Sequence, residues 1–161
     1  CYMMAYAHCG HDCHVAEDVT LANGAAIAGH VTIGKGAILS GLVAIQQFCR
    51  IGQYAFVGGM TGVNEDIIPY GIALGDRAQL AGLNLIGLKR RGVPRPNIHA
   101  LRAAYRAIFL SDDGSMAERA KRARENFAQF AEVQEMVAFI LADSKQAIAT
   151  ARKRAHASDD E

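Results

Sequence analysis

The segment LANGAAIAGHVTIGKGAILSGLVAI, residues 21–45, has an apolar residue at every sixth position. The same phase runs without a miss over eleven positions: Met3, Cys9, Val15, Leu21, Ile27, Ile33, Leu39, Ile45, Ile51, Val57 and Val63. A small or β-branched residue lies four places after each of the first ten, from Ala7 to Thr61. Neither the period of an α-helix nor that of an ordinary strand produces this spacing. It is the hexapeptide pattern of a parallel β-helix, in which short strands wind around stacked aliphatic side chains.

Three hexads make one triangular coil, so residues 18 apart in the chain are expected to lie directly above one another. The glycine-rich segments 23–24, 34–36 and 58–59 suit the corners of the coil, where positive φ is expected. Pro69 is expected to stop the repeat, because proline cannot donate to the next rung. The chain starts at Cys1 with the pattern already running at Met3. An uncapped coil exposes unpaired edge groups, so we expect further coils before residue 1.

The fold class predicted is a β-solenoid followed by a small α-helical domain. We expect the hexapeptide β-helix over 1–72, a connecting segment over 73–96, helices over 97–156 and a disordered tail over 157–161. Asn97 is a predicted N-cap for a helix through about Leu110. Ser115 and Glu118 form a predicted capping box for a second helix. A third helix is predicted from about Glu132 to Arg154.

Composition and charge restrict the function classes. The 161 residues carry a net charge of +1 and no tryptophan, which argues against a nucleic-acid partner. Residues 89–161 hold fourteen basic and ten acidic side chains, and a basic stretch at 119–124 is either a solvated helix face or a patch for an acidic partner. No apolar run is long enough to span a membrane, and no secretory signal opens the chain. The four cysteines are expected to be unpaired in a reducing, cytoplasmic compartment.

Polar side chains concentrate at one predicted corner of the solenoid. At intervals of 18 residues, one column holds His11, Gly29 and Gln47, and its neighbour holds Asp12 and His30. His8 lies near the same corner. Two chemistries use such a cluster: His11 as a general base with Asp12 fixing its tautomer, or a zinc site built from two or three histidines. Adjacent residues of a strand point to opposite faces, so a contact between the side chains of His11 and Asp12 requires a bend in the backbone.

Glycines favour the first of these chemistries. Gly29 and Gly41 leave bare backbone N–H groups that could approach a developing oxyanion, as acyl transfer requires. Gly59 lies one coil above Gly41 in the predicted register, and together they would form a groove without side chains, suited to an extended acyl chain.

Several motifs together resemble a known enzyme family. They are AHCGHDC at 7–13, AGHV at 28–31, QFC at 47–49, VGG at 57–59 and above all GLNLIGLKRRG at 82–92. The sequence is similar to the acyl-ACP:UDP-N-acetylglucosamine O-acyltransferases, which perform the first step of lipid A biosynthesis. The resemblance implies a homotrimer of left-handed β-helices with active sites between subunits. It implies acyl carrier protein and UDP-N-acetylglucosamine as substrates, with the acyl group carried on phosphopantetheine and no cofactor or metal of the enzyme's own.

The resemblance also implies roles for individual residues. His11 matches the catalytic base, Asp12 its acidic neighbour, and Gly29 the backbone donor to the thioester oxyanion. The remaining matches fall into three groups: substrate-contacting His8, His30 and Gln47; nucleotide-binding Asn84, Arg90 and Arg91; and acyl-groove Gly41 and Gly59, the latter at the position where the family measures chain length. Gln46 departs from the family, which commonly has histidine there. We expect an altered substrate contact at Gln46, with activity retained.

Three alternatives remain open at this point. The first is another hexapeptide acyltransferase, either an N-acyltransferase of the same pathway or an enzyme that uses acetyl-CoA. The second is a zinc hydratase of the carbonic anhydrase type. The third is a solenoid without catalytic activity.

Overall fold

The computed structural model describes residues 1–152 and contains a triangular β-solenoid followed by helices. Eleven two-residue strands make up the regular coils: β1 Tyr2–Met3, β2 His8–Cys9, β3 His14–Val15, β4 Thr20–Leu21, β5 Ala26–Ile27, β6 Thr32–Ile33, β7 Ile38–Leu39, β8 Ala44–Ile45, β9 Arg50–Ile51, β10 Phe56–Val57 and β11 Gly62–Val63. Two longer strands follow, β12 Gly71–Leu74 and β13 Gln79–Leu83. The helices are α1 Leu85–Arg90, α2 Arg95–Phe109, α3 Met116–Asn126 and α4 Ala131–Leu141. In this part of the chain no helix combines the length and apolar character needed to cross a bilayer.

The strands form three parallel sheets, one on each side of the triangle. Sheet A contains β1, β4, β7, β10 and β12, with β13 at its end; sheet B contains β2, β5, β8 and β11; sheet C contains β3, β6 and β9. Residues 18 apart pair in register, as in Tyr2 with Thr20 and His8 with Ala26. The predicted coil length is therefore confirmed. Below, the AB, BC and CA edges are the corners between the named sheets.

Stacked aliphatic side chains fill the solenoid. Leu21, Ile27, Ile33 and Leu39 are at most 1% exposed, and the residues at the same phase continue this core to Val63. Burial of each such side chain contributes about 1.5–3 kcal/mol, which explains why the hexapeptide phase is kept without a break. In the first coil Met3 is 51% exposed.

Every corner places one residue in the left-handed region, whatever its chemical type. The set is spaced by six and has φ between 57° and 69°: Tyr6, Asp12, Asp18, Gly24, His30, Gly36, Leu42, Phe48, Tyr54 and Met60. The prediction of positive φ holds for Gly24 and Gly36. It is wrong for segment 58–59, because the corner falls on Met60.

The segment after Pro69 differs from the prediction of a halted repeat. β12 still pairs in parallel with β10, but Phe56 pairs with Ile72, 16 residues on. The same offset already holds between Ile51 and Ile67, so the coil is shortened just before the proline, after Val63. β13 then returns antiparallel to β12, and α1 follows it. The 73–96 segment, whose sequence has no clear period, therefore contains most of a hairpin and a short helix, formed by pairing with the last coil.

Two of the three helix predictions need correction. α2 starts at Arg95, two residues before the predicted N-cap, because Pro96 is tolerated in a first turn. Asn97 does not cap it, and its amide donates to Glu132 Oε2. The capping box of Ser115 and Glu118 is confirmed at the start of α3.

The third predicted helix is wrong beyond Leu141, where α4 ends. The segment from 142 onward instead pairs with the solenoid, where Asp66 bridges Ile148 and Leu80 bridges Ala151. Backbone pairing with a sheet edge thus overrides the helix propensity of an alanine-rich segment. The rest of that prediction, and the predicted tail over 157–161, lie outside the described residues.

A buried carboxylate joins the solenoid to this segment. Asp66 is fully buried and accepts hydrogen bonds from the backbone N–H and the Nε of Arg50, both at 2.7 Å. The Ser144 hydroxyl donates to the same carboxylate at 2.6 Å, and the Arg50 guanidinium also donates to the Phe139 carbonyl at 3.2 Å. The last coil and the helical part are therefore fixed to each other by charge-assisted hydrogen bonds.

Candidate active site

The candidate site lies on the BC edge, where the left-handed corners bring three side chains into one column. Asp12, His30 and Phe48 have φ of 57°, 60° and 67°, and they are spaced by one coil each. The backbone N–H of His30 donates to the carbonyl of His11 at 3.0 Å, and that of Phe48 donates to the carbonyl of Gly29 at 3.2 Å. These rungs fix the backbone that carries the column.

The imidazole of His11 lies over Gly29. A Cβ at residue 29 would be 2.7 Å from both Cε1 and Nε2 of the ring, closer than real Cβ atoms approach other atoms. Gly29 is itself buried, and its N–H donates no hydrogen bond to the backbone or side chains of residues 1–152. Glycine at residue 29 therefore makes room for the ring and leaves a free donor beside it.

Asp12 orients the same imidazole. Its Oδ2 lies 2.8 Å from His11 Nδ1, a contact made possible by the left-handed backbone of the aspartate. The hydrogen bond from His11, with His30 nearby, holds the pKa of the Asp12 carboxyl below its usual value. An ionised carboxylate accepts hydrogen bonds only, so Nδ1 carries the proton and Nε2 is left with a free lone pair. The pair can act as a general base with a fixed tautomer.

His30 is held from two sides. Its ring meets that of His11 edge to face, with centroids 5.0 Å apart, and stacks on Phe48 at 4.8 Å with an interplanar angle of 9°. The Lys145 ammonium lies 3.8 Å from the Phe48 centroid. Sequence reasoning did not assign these supporting roles. The 18-residue spacing predicts that Phe48 lies next to His30, whereas nothing in the sequence places Lys145 beside Phe48.

The other substrate-contacting candidates are exposed residues on or next to this edge. His8 is in β2 and precedes the corner by three residues. Gln47 lies above Gly29 in the stack, and its carbonyl accepts a hydrogen bond from Gln146 Nε2 at 3.0 Å. Gln46 is exposed beside it.

The nucleotide-binding candidates lie at the CA edge. Asn84 caps α1 by accepting from the Gly87 N–H at 3.0 Å, and its amide donates to the Tyr54 carbonyl at 3.2 Å. The Arg91 guanidinium lies over the Tyr54 ring, 3.3 Å from its centroid, and Arg90 is exposed. Stacking on an aromatic ring leaves the edge of a guanidinium free to meet an anion.

The acyl-groove candidates lie at the AB edge. Gly41 and Gly59 are stacked there, and a Cβ on the latter would be 3.5 Å from the carbonyl oxygen of the former, an ordinary contact. The structure thus brings together His11, Asp12, Gly29 and His30, with Gln47 on the same edge. Within one chain it does not bring these to either of the other two groups.

The comparisons with known proteins agree with this geometry. A family described as UDP N-acetylglucosamine O-acyltransferase, domain 2, matches residues 66–149, which is more than half of the chain. The chain belongs to this UDP-N-acetylglucosamine O-acyltransferase family.

Named members of the acyltransferase family are similar over most of the chain. The acyl-acyl-carrier-protein–UDP-N-acetylglucosamine O-acyltransferase of Rhizobium etli is 42% identical over 147 residues, covering 91% of this chain and 54% of the relative. That of Anaeromyxobacter sp. strain K is 44% identical over 137 residues, covering 85% and 53% respectively. The chain therefore spans about half the length of the curated relatives it matches.

Solved structures of the family share the solenoid and its helices. A structure titled as a UDP-N-acetylglucosamine acyltransferase aligns with a TM-score of 0.87 at 34% identity, covering 94% of this chain and 57% of that one. The Campylobacter jejuni enzyme aligns with a TM-score of 0.81 at 34% identity, covering 88% and 54%. The predicted β-solenoid with a helical domain is confirmed.

Proposed function

We propose that the protein transfers a 3-hydroxyacyl chain from acyl carrier protein to the 3-hydroxyl of UDP-N-acetylglucosamine, the first step of lipid A biosynthesis. The observation that supports this most directly is the His11 imidazole, oriented by Asp12 and placed against the buried Gly29. Family membership supplies the substrate class, since the named relatives carry both substrates in their names.

The proposed reaction begins with proton transfer. Nε2 of His11 takes the proton of the sugar 3-hydroxyl, and Asp12 stabilises the imidazolium that results. The sugar oxygen then attacks the thioester carbonyl carbon, and the new oxyanion accepts a hydrogen bond from the Gly29 N–H. When the C–S bond breaks, the imidazolium returns its proton to the phosphopantetheine thiolate. No metal or further cofactor enters this reaction.

The other candidate residues bind substrate in this proposal. His8, His30 and Gln47 contact the sugar, while Asn84, Arg90 and Arg91 hold the nucleotide and its phosphates, for which guanidinium groups suit geometrically. The Oδ1 of Asn84 caps α1 and its amide nitrogen donates to the Tyr54 carbonyl, so the second amide hydrogen is what it offers the nucleotide. Gly41 and Gly59 border the acyl chain.

These groups lie on three different edges of one triangular solenoid, so a single chain does not form the complete site. We propose a homotrimer in which an edge of one subunit faces a different edge of its neighbour. Mixed trimers test this. Subunits carrying His11→Ala and subunits carrying Arg91→Ala are each expected to be inactive alone and to regain part of the activity when co-assembled. If no pairing among the His11, Arg91 and Gly59 variants recovers activity, a site shared between subunits is contradicted.

The acidic carrier protein is proposed to dock on the helical part. Of the basic stretch at 119–124, Arg119 donates to the Ile108 and Gly114 carbonyls and Arg122 pairs with Asp113. Lys121 and Arg124 remain exposed on α3 and are the residues proposed to meet the carrier. Because acyl carrier protein is a cytoplasmic donor, the proposed reaction takes place in the cytoplasm.

The test is mass spectrometry of the product that the complete polypeptide forms from UDP-N-acetylglucosamine and a mixed pool of acyl carrier protein thioesters. We expect a 3-O-acylated nucleotide sugar, formed at least about a hundredfold more slowly with His11→Ala. A second reaction with acetyl-CoA as donor separates the related acyltransferases. If product forms from acetyl-CoA but not from the acyl carrier protein thioesters, the proposed donor is wrong.

A further inference from the structure

The histidine and aspartate side chains of the BC edge also have the composition of a transition-metal site. One ligand atom from each of His11, Asp12 and His30 lies within 4.8 Å of the other two. Two imidazoles and one carboxylate are a ligand set that zinc and related divalent ions accept. We propose that a divalent transition metal such as zinc binds between these three residues and switches off the general base.

The distances fit a metal once the exposed side chains adjust. His11 Nδ1 and His30 Nε2 lie 2.8 Å and 3.9 Å from the same oxygen, Asp12 Oδ2. Tetrahedral zinc, with bonds of about 2.0–2.1 Å, requires its ligand atoms to be about 3.3 Å apart. The first separation must therefore widen and the second narrow, each by roughly half an ångström. The ring nitrogens of His11 and His30, which lie within 4.8 Å of each other, must approach by up to about 1.5 Å. Side chains that are 74%, 67% and 42% exposed can make such adjustments and leave positions open for water or substrate.

The two rings are held before any metal arrives. His30 is stacked on Phe48, and His11 is seated over Gly29 where no side chain competes with it. The backbone of the edge is fixed by the solenoid rungs. Part of the ordering that binding requires is therefore already present, and this favours affinity.

Occupation by a metal would block proton abstraction for a simple reason. A neutral imidazole has one lone pair and one N–H. If a metal takes the Nδ1 lone pair of His11, the ring's proton moves to Nε2, the nitrogen that lies against Gly29. That nitrogen then cannot accept the proton of a sugar hydroxyl. At Nδ1, the metal takes the place of the proton that His11 donates to Asp12. The site is thus inhibitory, and only this inhibitory part of the inference rests on the proposed function.

Binding is tested on the chain itself by titration with Co²⁺, which reports coordination through its visible absorption, and by calorimetry with Zn²⁺. The exposed Cys1 thiol is a competing metal ligand, so all proteins carry Cys1→Ser. The test variants are His30→Asn and Asp12→Asn, since asparagine tolerates the left-handed φ of both positions. The matched control is His14→Asn, an exposed histidine of the same coil outside the cluster.

We expect one equivalent of metal to bind, affinity to fall at least about tenfold in both test variants, and the control to be unchanged. Binding that survives His30→Asn, or that is lost in the control, overturns the site. In the acyl-transfer assay of the complete polypeptide, Zn²⁺ should inhibit and a chelator should restore the rate. Full activity at zinc concentrations that saturate the titration refutes inhibition. If no acyl transfer occurs at all, the proposed function fails, while the titrations still decide the metal site.

Discussion

Replacing Gly29 with alanine should lower kcat about a hundredfold while leaving the fold intact. The new Cβ would be 2.7 Å from Cε1 and Nε2 of His11, whereas ordinary contacts begin at 3.4 Å. The ring must therefore move by about 0.7 Å or rotate away. A displacement of this order at a reacting group costs about a hundredfold in rate, or about 2.7 kcal/mol of transition-state stabilisation.

Folding should be affected far less, for two reasons. The φ of Gly29 lies outside the left-handed region, so alanine fits its backbone. The His11 side chain is 74% exposed and can swing into solvent. We expect the free energy of unfolding to change by less than about 1 kcal/mol, as for substitutions that spare the core. Urea denaturation, alongside kcat at saturating substrates, measures the two effects separately.

A double-variant cycle shows whether the loss acts through the histidine. Alanine at residue 29 keeps the backbone N–H, so Gly29→Ala should have almost no further effect in a His11→Ala protein. Two results would refute the reasoning. One is a wild-type rate for the single glycine variant, and the other is a full hundredfold loss on top of that caused by His11→Ala.

Three other substitutions or conditions have defined outcomes. Asp66→Asn should lower the free energy of unfolding by about 3–5 kcal/mol, because it leaves the Arg50 charge without its buried partner. The control Asp113→Asn, at an exposed ion pair, should lower it by less than about 1 kcal/mol in the same urea titration. Equal losses would contradict this. Burial raises the pKa of the Cys49 thiol to about 12, so the stability it contributes is present below the pKa of an unfolded thiol, near 9, and is lost as pH rises toward 12. Denaturation at pH 8, 9.5 and 11 should show this fall, and Cys49→Ala should show a smaller one. Gly59→Met should shift donor preference toward shorter acyl chains in competition assays with mixed thioesters, since its side chain would occupy the proposed groove; an unchanged product distribution would place the chain end elsewhere.

The solenoid could be predicted because its core repeats. One apolar side chain per hexad is enough to fix the winding, and the winding fixes which residues stack. That His11 lies next to Gly29, and Asp12 next to His30, in adjacent coils follows from the 18-residue interval alone. The contact between adjacent His11 and Asp12 could be judged only as requiring a bend, and the left-handed corner provides it.

The helical part was predicted less well because its contacts are not periodic. The last segment, from 142 on, looks helical by composition, yet backbone groups of the solenoid take its hydrogen bonds at Asp66 and Leu80. The ammonium of Lys145 reaches Phe48 only as a result of that pairing. Local propensity has no information about such partners.

The left-handed corners have a consequence for how this architecture diversifies. A non-glycine residue in that conformation costs about 1–2 kcal/mol, yet aspartate, histidine, leucine, tyrosine and methionine all occupy it here. The ladder of neighbouring rungs imposes the geometry, and the identity of the corner residue is left free. The residue at each corner can therefore be substituted without changing the backbone. New functional side chains can arise there by single substitutions that leave the aliphatic core unchanged.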